Sequence, residues 1–349
     1  MNRAATVALA PISGIYGIFV KARNACYRQG IFRKQQVGAP VVSVGNLTSG
    51  GTGKTPLVEW IARELASLGR NVCVLTRGYG RDNPNLRVVV SNGKEILADV
   101  KQTGDEAFML AEKLKGEAAV ICDADRVAAA GWAIENLGSD VFVLDDAFQH
   151  QQIARDLNIL TVDATNPWGN RRSFPGGILR EPISELSRAD CVIITRADSH
   201  NPGRRVQDEI ERLHPAMPVL LSRMKHTELR EIGPSSPIVD SDKIKAMSTG
   251  AFCGIGNSDS FFNLLRREGY SLSYERSFRD HYNFTQADVE EIVNAAQGKG
   301  AQVLLTTAKD AAKLRSLKFA LPCYAAEIEI EIDPADELRK LILKAIGQA

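Results

Sequence analysis

A chain of 349 residues exceeds one average domain, so two domains, or one large α/β domain with an appendage, are expected. Hydrophobic residues make up 44% and charged residues 24%, which fits a folded protein that buries a large core without disulfide staples. The net charge of +1 provides no global basic field of the kind that marks a nucleic-acid binder.

Charge is unevenly spread from the start. No Asp or Glu precedes Glu59, while Arg3, Lys21, Arg23, Arg28, Arg33, Lys34 and Lys54 all fall in that stretch. Residues 4–20 form an uncharged, mostly apolar segment interrupted by Pro11, Gly14 and Gly17, somewhat short for a membrane span. A signal peptide fits poorly, because a nucleotide loop follows within about 30 residues and needs cytoplasmic ATP. The pattern predicts a helix lying in a membrane interface, with residues 21–34 offering cations to anionic headgroups; a core-packing first helix with a basic tail is the alternative.

A β-branched run at 41–44 leads into Gly45-Asn-Leu-Thr-Ser-Gly-Gly-Thr-Gly-Lys-Thr55. Leu57, Val58, Ile61, Leu65 and Leu68 then repeat at helical spacing, and Gly69 ends the helix. Residues 71–76 read as the next strand, and 86–90 with 95–100 as a hairpin around Ser91-Asn-Gly-Lys94. A helix at 105–114, a strand at 118–122, a helix at 126–137 and buried strands at 140–144, 157–162 and 191–195 follow. Alternating strands and helices, with strands apolar on both faces, predict a doubly wound, mostly parallel α/β sheet of P-loop NTPase type, with ligands at the carboxyl ends of the strands. The pattern changes near residue 221. Residues 223–232 read as a polar segment and 235–242 as a loop; an apolar stretch at 246–252, a helix at 261–268 and a strand at 301–306 point to a second, smaller α/β domain. The expected division is residues 1–38, 39–221 and 222–349. Cys26, Cys73, Cys122, Cys191, Cys253 and Cys323 form no CxxC pair and read as buried free thiols, not as a zinc site.

The loop carries the chemistry. Gly50, Gly51 and Gly53 allow backbone N–H groups to converge on phosphate oxygens, with Thr48, Ser49 and Thr52 completing the cradle. Lys54 neutralises the β- and γ-phosphates, Thr55 ligates Mg²⁺, and the helix N-terminus adds positive potential. Thr48 stands where the general pattern has Gly, and Ser49 stands where dimeric switch ATPases carry a second Lys, which argues against that class. Asp145 and Asp146, at the end of an apolar strand, are candidates for the metal. Gln149 and His150 follow within reach of a polar substrate. Asp105, in Thr103-Gly-Asp-Glu106, is either a helix cap or the proton acceptor of a hydroxyl kinase, and spacing does not choose. His281, in Arg279-Asp-His-Tyr-Asn-Phe284, is a second candidate. His200, His214 and His226 lie in surface-like stretches. Arg77, Arg81, Arg126 and Arg180 follow strands on the ligand-bearing edge and exceed what ATP needs, so the acceptor is expected to be anionic.

Gly45 to Pro56, Thr76-Arg-Gly-Tyr-Gly-Arg81, Gly104-Asp-Glu106, Asp145-Asp-Ala-Phe-Gln-His150, Leu179-Arg-Glu-Pro182 and Phe278-Arg-Asp-His281 together resemble the tetraacyldisaccharide 4′-kinases, the lipid A 4′-kinases, and the resemblance runs on to Thr306-Thr-Ala-Lys-Asp310. Ala147 stands where that family more often has Gly. The resemblance implies transfer of the ATP γ-phosphate, with Mg²⁺, to the 4′-hydroxyl of an acylated glucosamine disaccharide 1-phosphate. It places the enzyme at the cytoplasmic face of the inner membrane of a Gram-negative bacterium, with the N-terminal helix on the membrane. It implies Asp105 as base, His281 orienting Asp105, and Asp145, Asp146 and Glu106 beside Thr55 at the metal. Arg77, Arg126, Gln149, His150, Arg180 and Glu181 are implied to contact nucleotide or acceptor. A nucleotide-dependent switch and a soluble small-molecule kinase are the rival readings.

Overall fold

The computed structural model describes residues 9–197, 202–233 and 237–348. Arg3, the first part of the apolar leader and His200 lie outside them. The chain divides into two compact units, one made of residues up to Arg223 together with those from Glu331 onward, the other of Met224–Ile330.

The first unit opens with α1 (Ala10–Arg28), one continuous helix despite Pro11, Gly14 and Gly17. Pro11 falls in the first turn, where its missing N–H costs nothing. There follow β1 (Val41–Gly45), α2 (Lys54–Ser67), β2 (Val72–Thr76), β3 (Val88–Ser91), α3 (Val100–Thr103), α4 (Asp105–Lys113), β4 (Ala118–Cys122), α5 (Arg126–Leu137), β5 (Val141–Leu144), β6 (Leu157–Asp163), a 3₁₀ turn at Ile183–Arg188, β7 (Cys191–Thr195) and α6 (Pro202–Leu213). The strand order is β3-β4-β2-β5-β1-β6-β7, continued by the first residues of β8 (Val219–Glu231). All neighbours pair in parallel except β3, which runs antiparallel to β4. β1, β2, β4, β5, β6 and β7 are buried along their whole length, so they are mostly apolar, with Ser43 in β1 and Asn158, Thr161 and Asp163 in β6 as buried polar exceptions. On one face Cys73, Leu75, Ile121, Phe142 and Leu144 meet Ala129, Ala130 and Ala133 of α5. Farther along the same face Leu160, Val162, Val192 and Ile194 meet Val206 and Ile210 of α6. Each large side chain buried this way contributes about 1.5–3 kcal/mol.

The second unit contains most of β8, β9 (Ile238–Val239), α7 (Ser241–Lys245), β10 (Ser248–Cys253), α8 (Ser258–Arg267), β11 (Ser271–Ser277), α9 (Gln286–Gly298), β12 (Val303–Thr307), α10 (Ala308–Leu314) and most of β13 (Cys323–Asp333). Its strand order is β11-β10-β12-β13-β8, with β9 beside β8. The last helix, α11 (Ala335–Ala345), returns to the first unit, where Arg339 pairs with Glu64 at 2.8 Å. The sequence reading kept all residues after 221 together; the return begins at Glu331 instead.

Three local expectations change. Only Val88–Ser91 of the expected hairpin is a strand. Its return arm makes a single bridge, Ser91 to Ile96, and then Asp99 caps α3 through a capping box with Gln102. Residues 223–231 belong to β8, because Met224 and His226 point inward while Arg223, Lys225 and Thr227 point out. His226 is therefore buried against the Tyr270 ring, not on the surface. The loop expected at 235–242 holds β9 and the start of α7.

Candidate active site

Gly45 ends β1 where a Cβ would stand 2.5 Å from the Phe148 backbone nitrogen, so the strand end and the turn after β5 meet only because position 45 is Gly. Ala147, fully buried, donates its N–H to the Val44 carbonyl at 3.1 Å; a methyl group fits where the family more often has none. The loop then runs to Gly53, whose φ of 76° caps α2 and places Lys54 and Thr55 in the first turn. Thr48 forms an antiparallel bridge with Leu179, and both the N–H and the hydroxyl of Ser49 donate to the Ile178 carbonyl, at 2.7 and 3.2 Å. The departures from the general loop pattern thus fall where the loop is zipped to residues 178–179, and a β-branched Thr suits that strand-like pairing.

At the end of β5, Asp145 is buried, with one oxygen accepting from the Thr76 hydroxyl at 3.0 Å and the other without a partner. Burial, then the charges of Glu106 and Asp146, push its carboxyl up to about 7. Asp146 takes the left-handed backbone, φ 48°, and accepts from the Arg180 guanidinium at 3.0 and 2.9 Å, with the Lys54 ammonium 3.6 Å away. Burial alone would raise it, but Lys54 and Arg180 outweigh burial and hold it below the usual carboxylate range. The two neighbours are therefore pushed apart, one held as the anion and one near neutrality. Among the described residues no three His, Cys, Asp or Glu side chains form a metal cage. The expected set of Thr55, Asp145, Asp146 and Glu106 is thus not a ready-made site, since Asp146 is drawn to two cations. Mg²⁺ in a phosphate loop needs one hydroxyl, one carboxylate and nucleotide oxygens. Thr55 and the unpartnered oxygen of Asp145 fit that need.

Asp105 is the first residue of α4 and follows Gly104, the N-cap. Gly104 has φ 82°, and a Cβ there would lie 2.2 Å from the Tyr79 carbonyl oxygen, so the loop after β2 rests directly on the start of α4. The capping position belongs to Gly104, which removes the cap reading of Asp105. Arg77 is exposed. Arg126 is buried at the start of α5, donates to the Ala124 carbonyl at 3.2 Å and leaves its Nε without a partner. Burial lowers its pKa, opposed by Asp145. His150 is held neutral, lowered to about 4 by burial and by Arg126 and Arg155. Gln149 donates to the Asn46 carbonyl at 2.9 Å and so steadies the entry to the loop.

Two residues of the arginine-bearing edge are engaged within the protein itself. Arg81 donates to the Leu86, Cys122 and Pro84 carbonyls and holds its own loop in shape. Glu181 is buried, and its carboxylate is engaged by Arg23 of α1 and by Arg188, so it ties the first helix down. In the second unit, His281 also takes the left-handed backbone, φ 58°. Its Nε2 lies 3.4 Å from the Lys309 ammonium, which also donates to Asp280 at 3.1 Å. Lys309 lies in the quoted Thr306–Asp310 run and Asn46 in the quoted loop, neither marked out by spacing, while Arg23, expected among the headgroup cations, pairs with Glu181.

Asp145 gives a pH test. Between about pH 4 and 7 the folded chain keeps a proton that the unfolded chain releases, so its stability falls as pH rises through that window. Asp145→Asn is expected to melt roughly 5 °C or more above the wild type at pH 8 without metal and nucleotide, and level with it near pH 4. Equal differences at both pH values in scanning calorimetry would refute the burial argument.

A family model described as tetraacyldisaccharide-1-P 4′-kinase matches residues 5–347. A protein of Geobacter metallireducens named tetraacyldisaccharide 4′-kinase is 38% identical over 349 residues, covering 99% of this chain and 100% of the relative. One of Desulfotalea psychrophila with the same name is 37% identical over 334 residues, 96% of this chain and 94% of that one. The crystal structure of LpxK from Aquifex aeolicus in complex with ATP is similar at TM-score 0.76 and 29% identity, covering 98% of this chain and 99% of that one.

Proposed function

The chain belongs to the tetraacyldisaccharide-1-phosphate 4′-kinase family, an ATP-dependent lipid kinase of lipid A biosynthesis, and on that footing we propose how its residues divide the work. The loop from Thr48 to Thr55 holds the ATP phosphates, as the similarity to an ATP-bound relative supports. The acceptor 4′-hydroxyl attacks the γ-phosphorus in line, its bond to the β–γ bridging oxygen breaks, and ADP leaves. The hydroxyl proton passes to the Asp105 carboxylate. Lys54 offsets the charge that builds on the leaving and transferring oxygens, which is where most of the catalysis lies. Thr55 and Asp145 would hold Mg²⁺, with Glu106 nearby; when bound, the ion neutralises phosphate charge. Arg77 and Arg126 take the anionic groups of nucleotide or acceptor, with Gln149 and His150 beside them. Arg180 keeps Asp146 in place.

The membrane contact rests on α1. Its buried residues are Ser13, Val20 and Asn24, while Ile12, Ile15, Ile18 and Phe19 are 54%, 70%, 70% and 67% exposed. Those positions share one helix face. Among the described residues no helix is long and apolar enough to cross a membrane, so the face is proposed to lie on the cytoplasmic leaflet of the inner membrane, close to the lipid acceptor. The single observation carrying this is the apolar stripe of Ile12, Ile15, Ile18 and Phe19 turned outward on α1.

The test uses wild type and Ile15→Glu/Phe19→Glu with labelled ATP and the disaccharide 1-phosphate, in anionic vesicles and in detergent. The variant is expected to lose vesicle binding at least about tenfold and to keep its detergent-phase rate. Unchanged vesicle binding would refute the membrane surface. Label appearing only as inorganic phosphate in the wild type would refute the kinase reading.

A further inference from the structure

The phosphate loop is gripped from its outer side. Three successive carbonyls are each met by a side-chain donor: Gly50 by the Asn46 amide at 3.5 Å, Gly51 by the Arg196 guanidinium at 2.8 Å, and Thr52 by the Thr195 hydroxyl at 2.9 Å. The peptide unit is planar, so a carbonyl turned outward carries the next residue's N–H inward. Holding these three carbonyls therefore aims the N–H groups of Gly51, Thr52 and Gly53 at the phosphate.

Arg196 stands out among the three. It follows β7, takes a left-handed backbone at φ 55°, and its side chain is only 12% exposed. A non-glycine residue in that region is costly and persists where surrounding contacts over-determine it. The same Nη1 that meets Gly51 is paired with Asp163 at the end of β6. The other Asp163 oxygen accepts the Thr165 N–H at 2.9 Å and its hydroxyl at 2.7 Å, so the carboxylate cannot swing away. The acid pair lies on β5 and the Asp105 turn packs against the loop after β2, both on one side of β1; Arg196 and Asp163 come from β6 and β7, on the other.

We propose that Arg196, locked by Asp163, is a positioning residue that presets the phosphate loop for ATP. It touches neither reacting atom; it fixes the Gly51 peptide and places a cation behind it. The role does not depend on Asp105 or His281.

Steady-state kinetics on the full chain test this. Arg196→Met is expected to raise the KM for ATP about tenfold, with the KM for the lipid acceptor unchanged and kcat at saturating ATP within about threefold. The Kd for ADP should rise by a similar factor, since the preset cradle serves the β-phosphate as well. Should the single variant fail to fold, because Asp163 is left buried and unpaired, Asp163→Asn/Arg196→Met removes that charge and carries the same expectation. An unchanged KM for ATP in either folded variant, or equal rises for ATP and lipid, would overturn the proposal.

Discussion

Lys54→Ala is expected to lower kcat by at least about a hundredfold. Lys54 opens α2, so its ammonium shares the helix end at which the loop N–H groups point. It also lies 3.6 Å from Asp146, whose other cation is Arg180. Removing it therefore costs twice: charge developing on the transferred phosphoryl oxygens loses a cation, and Asp146 leans on Arg180 alone. Both effects act on the transition state, so the loss should fall mainly on kcat. Initial rates at saturating ATP and acceptor check this. A rate within tenfold of wild type would move the burden of charge neutralisation to the arginines.

The second large effect is expected at Asp105. Asp105→Asn keeps size, polarity and position in the first turn of α4 but cannot take a proton, and should lower kcat by at least about a hundredfold. The KM for ATP should change little, because Asp105 belongs to the turn resting on Tyr79 and not to the phosphate cradle. A wild-type rate in Asp105→Asn would remove it as base and leave it as a residue of the helix start. A parallel rise in the KM for ATP would place it on the nucleotide instead.

Much of this was legible in the chain. The first unit announced itself because its strands are buried on both faces, which leaves apolar runs that nothing interrupts. The loop was legible because its geometry demands glycine at bends and Lys-Thr at a helix start. The second unit was harder. β8 looked polar because its outward side carries Arg223, Lys225 and Thr227, although Met224 and His226 alternate with them. The return of α11 to the first unit has no local signal, since Arg339 meets Glu64 across 275 positions of sequence. The partners of Glu181 and the place of Arg196 had no local signal for the same reason. Whether a charged residue faces a ligand or a buried partner is decided by the fold, and Arg23, Arg188 and Asp163 are distant or unremarkable in sequence.

The segment 173–181 bears on how the enzyme can be re-engineered. On one side it receives α1: the Ser13 hydroxyl accepts from the Gly176 N–H at 2.8 Å, and the Tyr16 hydroxyl donates to the Arg180 carbonyl at 3.0 Å. On the other it is stitched to residues 47–49 at the mouth of the cradle. Helix, segment and cradle thus behave as one bracket, and the leading helix is a splint as much as an anchor. Cutting it away to gain solubility would unbrace the nucleotide side of the enzyme. The workable route is to recolour its outer stripe with polar residues and leave Ser13, Tyr16 and Arg23 in place.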